Sequence, residues 1–336
     1  FKEITHQMPS EIQEKLVDTQ KSLEIEKRKN QALKAQIKFI KQNYINDLQI
    51  PEPIKKVINL KKIEIHQQLA VTGGSFATIY SCTIDGWKCA MKEMDLVIMD
   101  LDTFHIENFK KEIKLMEKLP VHKNLVRYLF YTIDNTHIRL FMTLYDSSMS
   151  YILEQRSKLS KKFKPNDISR FLKDILSGLE ILHENRIIHR DLKLCNIFVS
   201  KNQFGDIENL CIGDFDTARF IGYNKVSQTI CGTFGYTAPE VNSGTSYSFP
   251  ADIWSIGVIA FELVTFEPPV TRCPNYKESD VLKQLIDSQD IEKDVLPNEF
   301  KHIEKMIQGC LITDPDYRAS IDDCKSILFD FGIISK

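Results

Sequence analysis

Residues Ser10 to Leu48 are rich in Lys, Glu and Gln and contain neither Gly nor Pro. Within them Leu16, Leu23, Asn30, Ile37 and Tyr44 recur every seven residues. Ile12, Leu33 and Ile40 fall on the interleaved positions, as do the polar Thr19, Glu26 and Asp47. This spacing predicts a long helix over residues 1–50 with an interrupted coiled-coil seam, and Asn30 is a polar seam residue of the kind that favours a two-stranded register. A homodimer through residues 10–48 and a single helix packed on its own domain both satisfy the pattern. Pro51 and Pro53 stop the helix, because proline lacks a donor and disfavours helix in the residue before it. Residues 51–62 then read as a linker.

From Ile63 the pattern changes to short runs of β-branched and aromatic residues, Ile63–Leu69, Phe76–Thr83 and Lys88–Glu93, punctuated by turn residues such as Asp85-Gly86. Such runs predict a sheet of antiparallel hairpins. Thr103–Leu119 has the period of an amphipathic helix, and strand-like runs return at Leu125–Ile133 and His137–Tyr145. Beyond Asp146 the periodicity is mostly helical, over Ile168–Glu184, Asp252–Val264, Ser279–Asp287 and Phe300–Leu311. The fold class expected is α+β: a small β-rich lobe with one helix over 63–145 and a larger α-helical lobe over 146–331, with a cleft between them.

A length of 336 residues suits one two-lobed enzyme with an appendage. The net charge of −2 supplies no global field to recruit nucleic acid or an acidic membrane, and the Lys27–Lys29 run reads as a solvated helix face. The eight cysteines form no CxxC pair, which fits a reduced, cytoplasmic setting better than a zinc site. The longest apolar stretch, Ile253 to Phe266, is too short to span a bilayer. The sequence opens on Phe1 and not Met, so it reads as a piece of a longer protein, and a targeting segment upstream stays open.

The chemistry concentrates in His189–Asn196, HRDLKLCN. One short loop holds a carboxylate, Asp191, a cation, Lys193, and a carboxamide, Asn196. Phosphoryl transfer from a nucleotide needs an acid to orient and deprotonate the attacking hydroxyl, a cation near the transferring group, and an oxygen ligand for magnesium. The run matches the H-R-D-L-x-x-x-N catalytic loop at every specified position. Further motifs follow the same order as in that family. Thr72-Gly73-Gly74-Ser75-Phe76-Ala77-Thr78-Ile79 is a glycine-containing hairpin, Cys89-Ala90-Met91-Lys92 resembles V-A-I-K, Asp214-Phe215-Asp216 stands in place of D-F-G, and Ala238-Pro239-Glu240 is A-P-E. From about Ile63 to Phe331 the chain thus resembles the eukaryotic protein kinases of serine/threonine type, with a lean towards the tyrosine-kinase-like or mitogen-cascade groups.

The resemblance implies Mg-ATP as cofactor and a protein hydroxyl as acceptor. It makes Asp191 the base, with Lys193 beside it, and Asn196 and Asp214 the Mg2+ ligands. Lys92 would hold the α/β-phosphates and pair with Glu112, in preference to Glu107. Residues Thr72, Gly73, Gly74, Ser75, Phe76 and Ala77 would cover the phosphates. Ile79, Ala90 and Phe198 would sandwich the purine, Met142 would be the gatekeeper, and Thr143 to Tyr145 the hinge. Arg190 implies an anion in the activation loop, with phosphate on Thr229 or Ser227 as candidates. Asp252 and the pair Glu240 and Arg318 would be structural. Three departures stand out: Thr72 and Ala77 replace glycines of the loop, and Asp216 replaces the glycine of D-F-G, which predicts a restricted flip of Phe215. Two functions of different class are consistent with this set: an active serine/threonine kinase with a helical association segment, and a pseudokinase or nucleotide-binding scaffold. The retained Lys92, Asp191, Lys193, Asn196 and Asp214 favour the first.

Overall fold

The computed structural model describes residues 63–71, 77–84, 86–95, 115, 119–133, 136–221, 232–245, 247–267 and 296–334. The helix expected over 1–50, the linker 51–62 and the helix expected at Ser279–Asp287 lie outside the described residues. So does the Thr103–Leu119 helix apart from Leu115, which is helical and buried, and Leu119. The chain divides into two compact units, the first holding most of a five-stranded sheet and the second holding Lys88–Ala90, Leu101–Leu129 and everything from Phe141 onward.

The sheet has the order β1-β2-β3-β5-β4, with β1 at Ile63–Val71, β2 at Ala77–Ile84, β3 at Trp87–Asp95, β4 at Tyr128–Ile133 and β5 at His137–Thr143. β1 and β2 form an antiparallel hairpin running from Ile63↔Ile84 to Val71↔Thr78, with two register shifts that bend it. β3 buries four consecutive residues, Cys89, Ala90, Met91 and Lys92, as a strand covered on both faces does. Arg139 Nε donates to Glu93 Oε2 at 2.5 Å and ties β5 to β3. β4 begins at Tyr128, later than the expected Leu125, because Asn124–Val126 is committed elsewhere. The Val126 N–H donates to Ile212 O at 2.8 Å and the Ile212 N–H to Asn124 O at 2.9 Å, so this segment, itself part of the second unit, lies alongside a strand of that same unit and not in the five-stranded sheet.

The second unit is less uniformly helical than the sequence pattern predicts. β6 (Ser147–Ser148), β8 (Ile197–Lys201) and β9 (Ile207–Ile212) form a three-stranded sheet, and β7 (Ile187–Ile188) pairs with β10 (Arg219–Phe220). Strands of two residues are too short to show an alternation. Helix α1 (Met149–Lys158) also escapes the pattern, since only Met149 and Leu153 are buried. The short helix at Pro239–Asn242 and the helix at Ile321–Ile334 were not expected either, whereas those at Pro165–Glu184, Pro250–Thr265 and Lys301–Cys310 follow the pattern closely. α2 (Pro165–Glu184) starts with Pro at its first position and buries Ile168, Phe171, Leu172, Ile175, Leu176, Leu179 and Leu182, one stripe at the 3.6 period. After the short α3 (Pro239–Asn242), α4 (Pro250–Thr265) is buried on every side from Ala251 to Val264 and forms the axis of the unit. α5 (Lys301–Cys310) packs against it so closely that a Cβ on Gly257 would lie 2.7 Å from Cys310 Cβ. α6 (Ile321–Ile334) follows.

A buried histidine links α2 to α5. The Ser169 hydroxyl donates to Pro165 O at 2.9 Å, so His302 Nε2, 2.8 Å away, is the donor to Ser169 Oγ. Burial, and then the charge of Lys173, hold the His302 pKa below its ordinary value. In the unfolded chain His302 takes up a proton near pH ~6.5, whereas the folded protein resists it. Stability is therefore full above pH ~6.5 and falls as the pH drops below it towards the depressed folded value. Urea midpoints at two pH values test this: the loss between pH 7.5 and 5.5 shrinks in His302→Gln, and an unchanged loss would show that other groups carry it.

Candidate active site

The catalytic-loop backbone is shaped by a carboxylate remote in sequence. Asp252, in the first turn of α4, is 1% exposed. Its Oδ2 accepts from the His189 N–H and its Oδ1 from the Arg190 N–H, both at 2.9 Å. Its Oδ2 is also 2.9 Å from His183 Nε2 on α2. Burial pushes the Asp252 carboxyl up, but the hydrogen bond and charge of His183, the charge of His189 and the Arg190 N–H outweigh it and hold the pKa below the ordinary value. Arg190 adopts φ 71° here, a left-handed conformation that a non-glycine residue adopts only where its surroundings hold it.

On that turn sits the acid. Asp191 Oδ1 accepts the Thr233 hydroxyl at 2.6 Å. Its Oδ2 lies 2.7 Å from Lys193 Nζ and 3.2 Å from Asn196 Nδ2. Lys193 Nζ also donates to Thr233 Oγ1 at 2.6 Å, which closes a triangle of carboxylate, ammonium and hydroxyl. Burial would lower the Lys193 pKa, yet the hydrogen bond and charge of Asp191 raise it overall, so the ammonium stays charged. The carboxylate keeps acceptor capacity for the proton of an incoming hydroxyl.

Asn196 ends a 3-10 turn at Leu194–Asn196 and is 4% exposed. Its Nδ2 is spent on Asp191, donating to the backbone O at 2.8 Å as well as to Oδ2. That orientation leaves Oδ1 away from Asp191, where among the described residues it meets the weak Cys195 thiol donor at 3.6 Å. Asp214 follows β9 with φ 62°, and its charge is felt at both Lys193 and Cys195. One carboxylate and one carboxamide oxygen are a hard-oxygen set that suits Mg2+ completed by phosphate and water. Phe215 is 1% exposed and packs on His189 and Tyr128, ring centroids 5.5 and 6.0 Å apart. Among the described residues the left-handed position of this motif is Asp214, not Asp216, so in this conformation the aspartate that replaces glycine meets no backbone demand.

Around the loop, Arg190 Nε donates to Thr217 O at 2.5 Å and its Nη1 to the Tyr247 hydroxyl at 3.3 Å. Its expected anionic partners, Thr229 and Ser227, lie outside the described residues. Glu240 and Arg318 meet as a two-pronged pair, Nη1 to Oε1 at 2.7 Å and Nη2 to Oε2 at 3.0 Å. Tyr236 donates to Glu262 Oε2 and Ser255 Oγ to Tyr236 O, so α4 also holds the segment that presents Thr233.

Of the residues assigned to nucleotide, Thr72, Gly73, Gly74, Ser75 and Phe76 lie outside the described residues, as does Glu112. Ala77 is fully buried at the start of β2, Ile79 is half-buried, and Ala90 and Lys92 are buried on β3, where Lys92 is partnered. Met142 is buried, Thr143 donates its N–H to Arg127 O at 2.9 Å, and the Tyr145 hydroxyl accepts from the Arg127 N–H at 3.3 Å. Phe198 is half-buried on β8 with its ring 5.8 Å from that of Tyr145. The resemblance gave Thr233 only as part of the serine/threonine pattern, not as a site residue, and its contacts with Asp191 and Lys193 join residues about forty apart; His183, Thr217 and Tyr247 were left out altogether. Thr233 had a signal in its place ahead of A-P-E; His183, Thr217 and Tyr247 had none.

Comparison with known proteins agrees with this geometry. Residues 65–329 match the protein kinase domain family, and the chain belongs to it. It is similar to the "Kinase and exchange factor for Rac B" of Dictyostelium discoideum, 31% identical over 81% of this chain and 24% of the relative. It is also similar to mouse "Mitogen-activated protein kinase kinase kinase 15", 34% identical over 60% of this chain and 15% of the relative. The Drosophila melanogaster "Serine/threonine-protein kinase polo" is 35% identical over 48% of this chain and 27% of its own length. The chain thus spans about a quarter or less of these three relatives.

Proposed function

We propose that the chain is an active serine/threonine protein kinase domain that transfers the γ-phosphoryl group of Mg-ATP to a protein hydroxyl. The observation that carries this reading is the triangle of Asp191, Lys193 and Thr233 with Asn196 turned by the same carboxylate. Asp191 is suited to orient an acceptor hydroxyl and take its proton, and Lys193 to neutralise charge developing on the transferred group. Asn196 Oδ1 and Asp214 would hold Mg2+, which supplies electrostatic stabilisation of the phosphates when bound. Lys193 and Thr233 favour serine and threonine as acceptors, by resemblance to that class. The test is ATP-dependent phosphorylation of the chain itself and of a generic basic protein, run beside Asp191→Asn. Equal signals from the two proteins would leave the scaffold reading standing.

Control by activation-loop phosphate belongs to the same proposal. Arg190 lies beside the acid, and a phosphate on Thr229 or Ser227 would give its guanidinium an anion to hold. Thr229→Ala is expected to remove most activity from a preparation that otherwise carries the phosphate, as checked by mass spectrometry and initial rates. Full activity in that variant would count against Thr229. Association through residues 10–48 is a further part of the proposal, motivated by the heptad spacing.

A further inference from the structure

We infer that Gly213 is a positioning residue that sets the plane of the Phe198 ring and the seat of Asp214 through the side chain it lacks; the nucleotide arm of the test rests on the kinase reading above.

Its backbone is held from both sides. The Gly213 N–H donates to Asn196 O at 3.0 Å, and its carbonyl is 3.0 Å from His189 Nε2. The preceding Ile212 is paired with Ile197 on β8 and hydrogen-bonded at its N–H to Asn124 O and at its carbonyl to Val126 N–H. The peptide has no direction in which to move without breaking a bond to the catalytic loop or to the Asn124–Val126 segment.

The position of a Cβ is already filled. A Cβ at residue 213 would lie 2.4 Å from Val126 Cγ2, 3.0 Å from Val126 Cβ and 2.9 Å from Phe198 Cε2. Glycine is not needed here for a left-handed turn, since Gly213 is absent from the positive-φ glycines, so the requirement is one of space alone. The two obstacles differ in softness. Val126 is 5% exposed and packed, whereas the Phe198 ring is half-buried and leans on Tyr145 at an interplanar angle of 34°. An added methyl would therefore tilt the Phe198 ring, and the strain left over would pass along the chain to Asp214. The partly exposed Phe198 ring, beside the tilted ring of Tyr145, is an aromatic face of the kind that stacks a heteroaromatic base. The absent side chain at 213, next in the chain to Asp214, lets the Phe198 ring keep this orientation.

The test uses the full chain and two readouts on Gly213→Ala, Gly213→Ala/Val126→Ala, Phe198→Leu and Gly213→Ala/Phe198→Leu. Amide hydrogen exchange without nucleotide reads the 198 and 214 segments directly. A fluorescent ATP analogue with Mg2+ reads affinity, and thermal midpoints report stability. Gly213→Ala is expected to speed exchange at both segments and to weaken analogue binding roughly tenfold. Adding Val126→Ala removes the tightest contact and restores the thermal midpoint, but not the affinity. Adding Phe198→Leu, which removes Cε2, brings affinity back to that of Phe198→Leu alone. Unchanged exchange in Gly213→Ala overturns the inference, as does an affinity loss that Val126→Ala corrects together with the thermal midpoint. An unmutated chain that binds no analogue while Gly213→Ala still speeds exchange overturns the kinase reading and supports the positioning role.

Discussion

Asp191→Asn is expected to lower the rate of ATP-dependent phosphoryl transfer by about 10²- to 10⁴-fold, the range for loss of a positioned general base. The substitution keeps volume and leaves one oxygen to accept the Thr233 hydroxyl, now 2.6 Å from Oδ1. The amide nitrogen cannot accept. It would face Lys193 Nζ, 2.7 Å from Oδ2, and Asn196 Nδ2, 3.2 Å from Oδ2, both of which are donors. Asn196 keeps its shorter bond to the Asp191 backbone oxygen at 2.8 Å, so its amide keeps its orientation. The loss is therefore expected in kcat, with nucleotide affinity close to that of the unmutated chain. Steady-state rates beside a binding titration separate the two effects. A fall confined to KM would remove Asp191 from the chemical step.

The second large effect is on stability. Arg318→Ala is expected to destabilise the second unit by about 3–5 kcal/mol, because it strands Glu240 as an uncompensated buried carboxylate. The Arg318 side chain is completely buried and that of Glu240 is 8% exposed. The guanidinium also donates to Pro250 O at 2.7 Å, Ile312 O at 2.9 Å and Thr313 O at 3.3 Å, and sits over the Trp254 ring 5.2 Å from its centroid. One side chain thus ties α3, the start of α4 and the approach to α6 together, a reach that exposed ion pairs lack. A urea midpoint measures the change. In Glu240→Gln/Arg318→Met the loss is expected to be smaller than in Arg318→Ala, since no charge is left buried, and a larger loss would point to the carbonyl contacts instead of the ion pair.

The parts legible in the sequence are those whose physics is local. HRDLKLCN brings Asp191, Lys193 and Asn196 together because only five peptide bonds separate the first from the last, and the structure has Lys193 and Asn196 within hydrogen-bond reach of the Asp191 carboxylate. α2 and α4 were legible because a stripe or a full girth of apolar residues repeats over several turns. α1 was not, having two buried residues in ten, and neither were the two-residue strands β6, β7 and β10. The Asp216 substitution drew attention by its difference from the family, whereas the unusual backbone lies two residues earlier at Asp214.

By itself the sequence determined which residue types could do chemistry, in what order they come, and the membership of the chain in the protein kinase family. Only the tertiary structure decided what holds them. Asp252 caps the catalytic turn from 62 and 63 residues away, Thr233 reaches Asp191 from 42, and Arg318 meets Glu240 from 78. Such pairs carry no periodicity and no spacing rule, because each depends on where a buried helix places its first turn or a loop its hydroxyl. A buried charge or a closely held backbone selects its partner by distance in space, and distance along the chain does not record it.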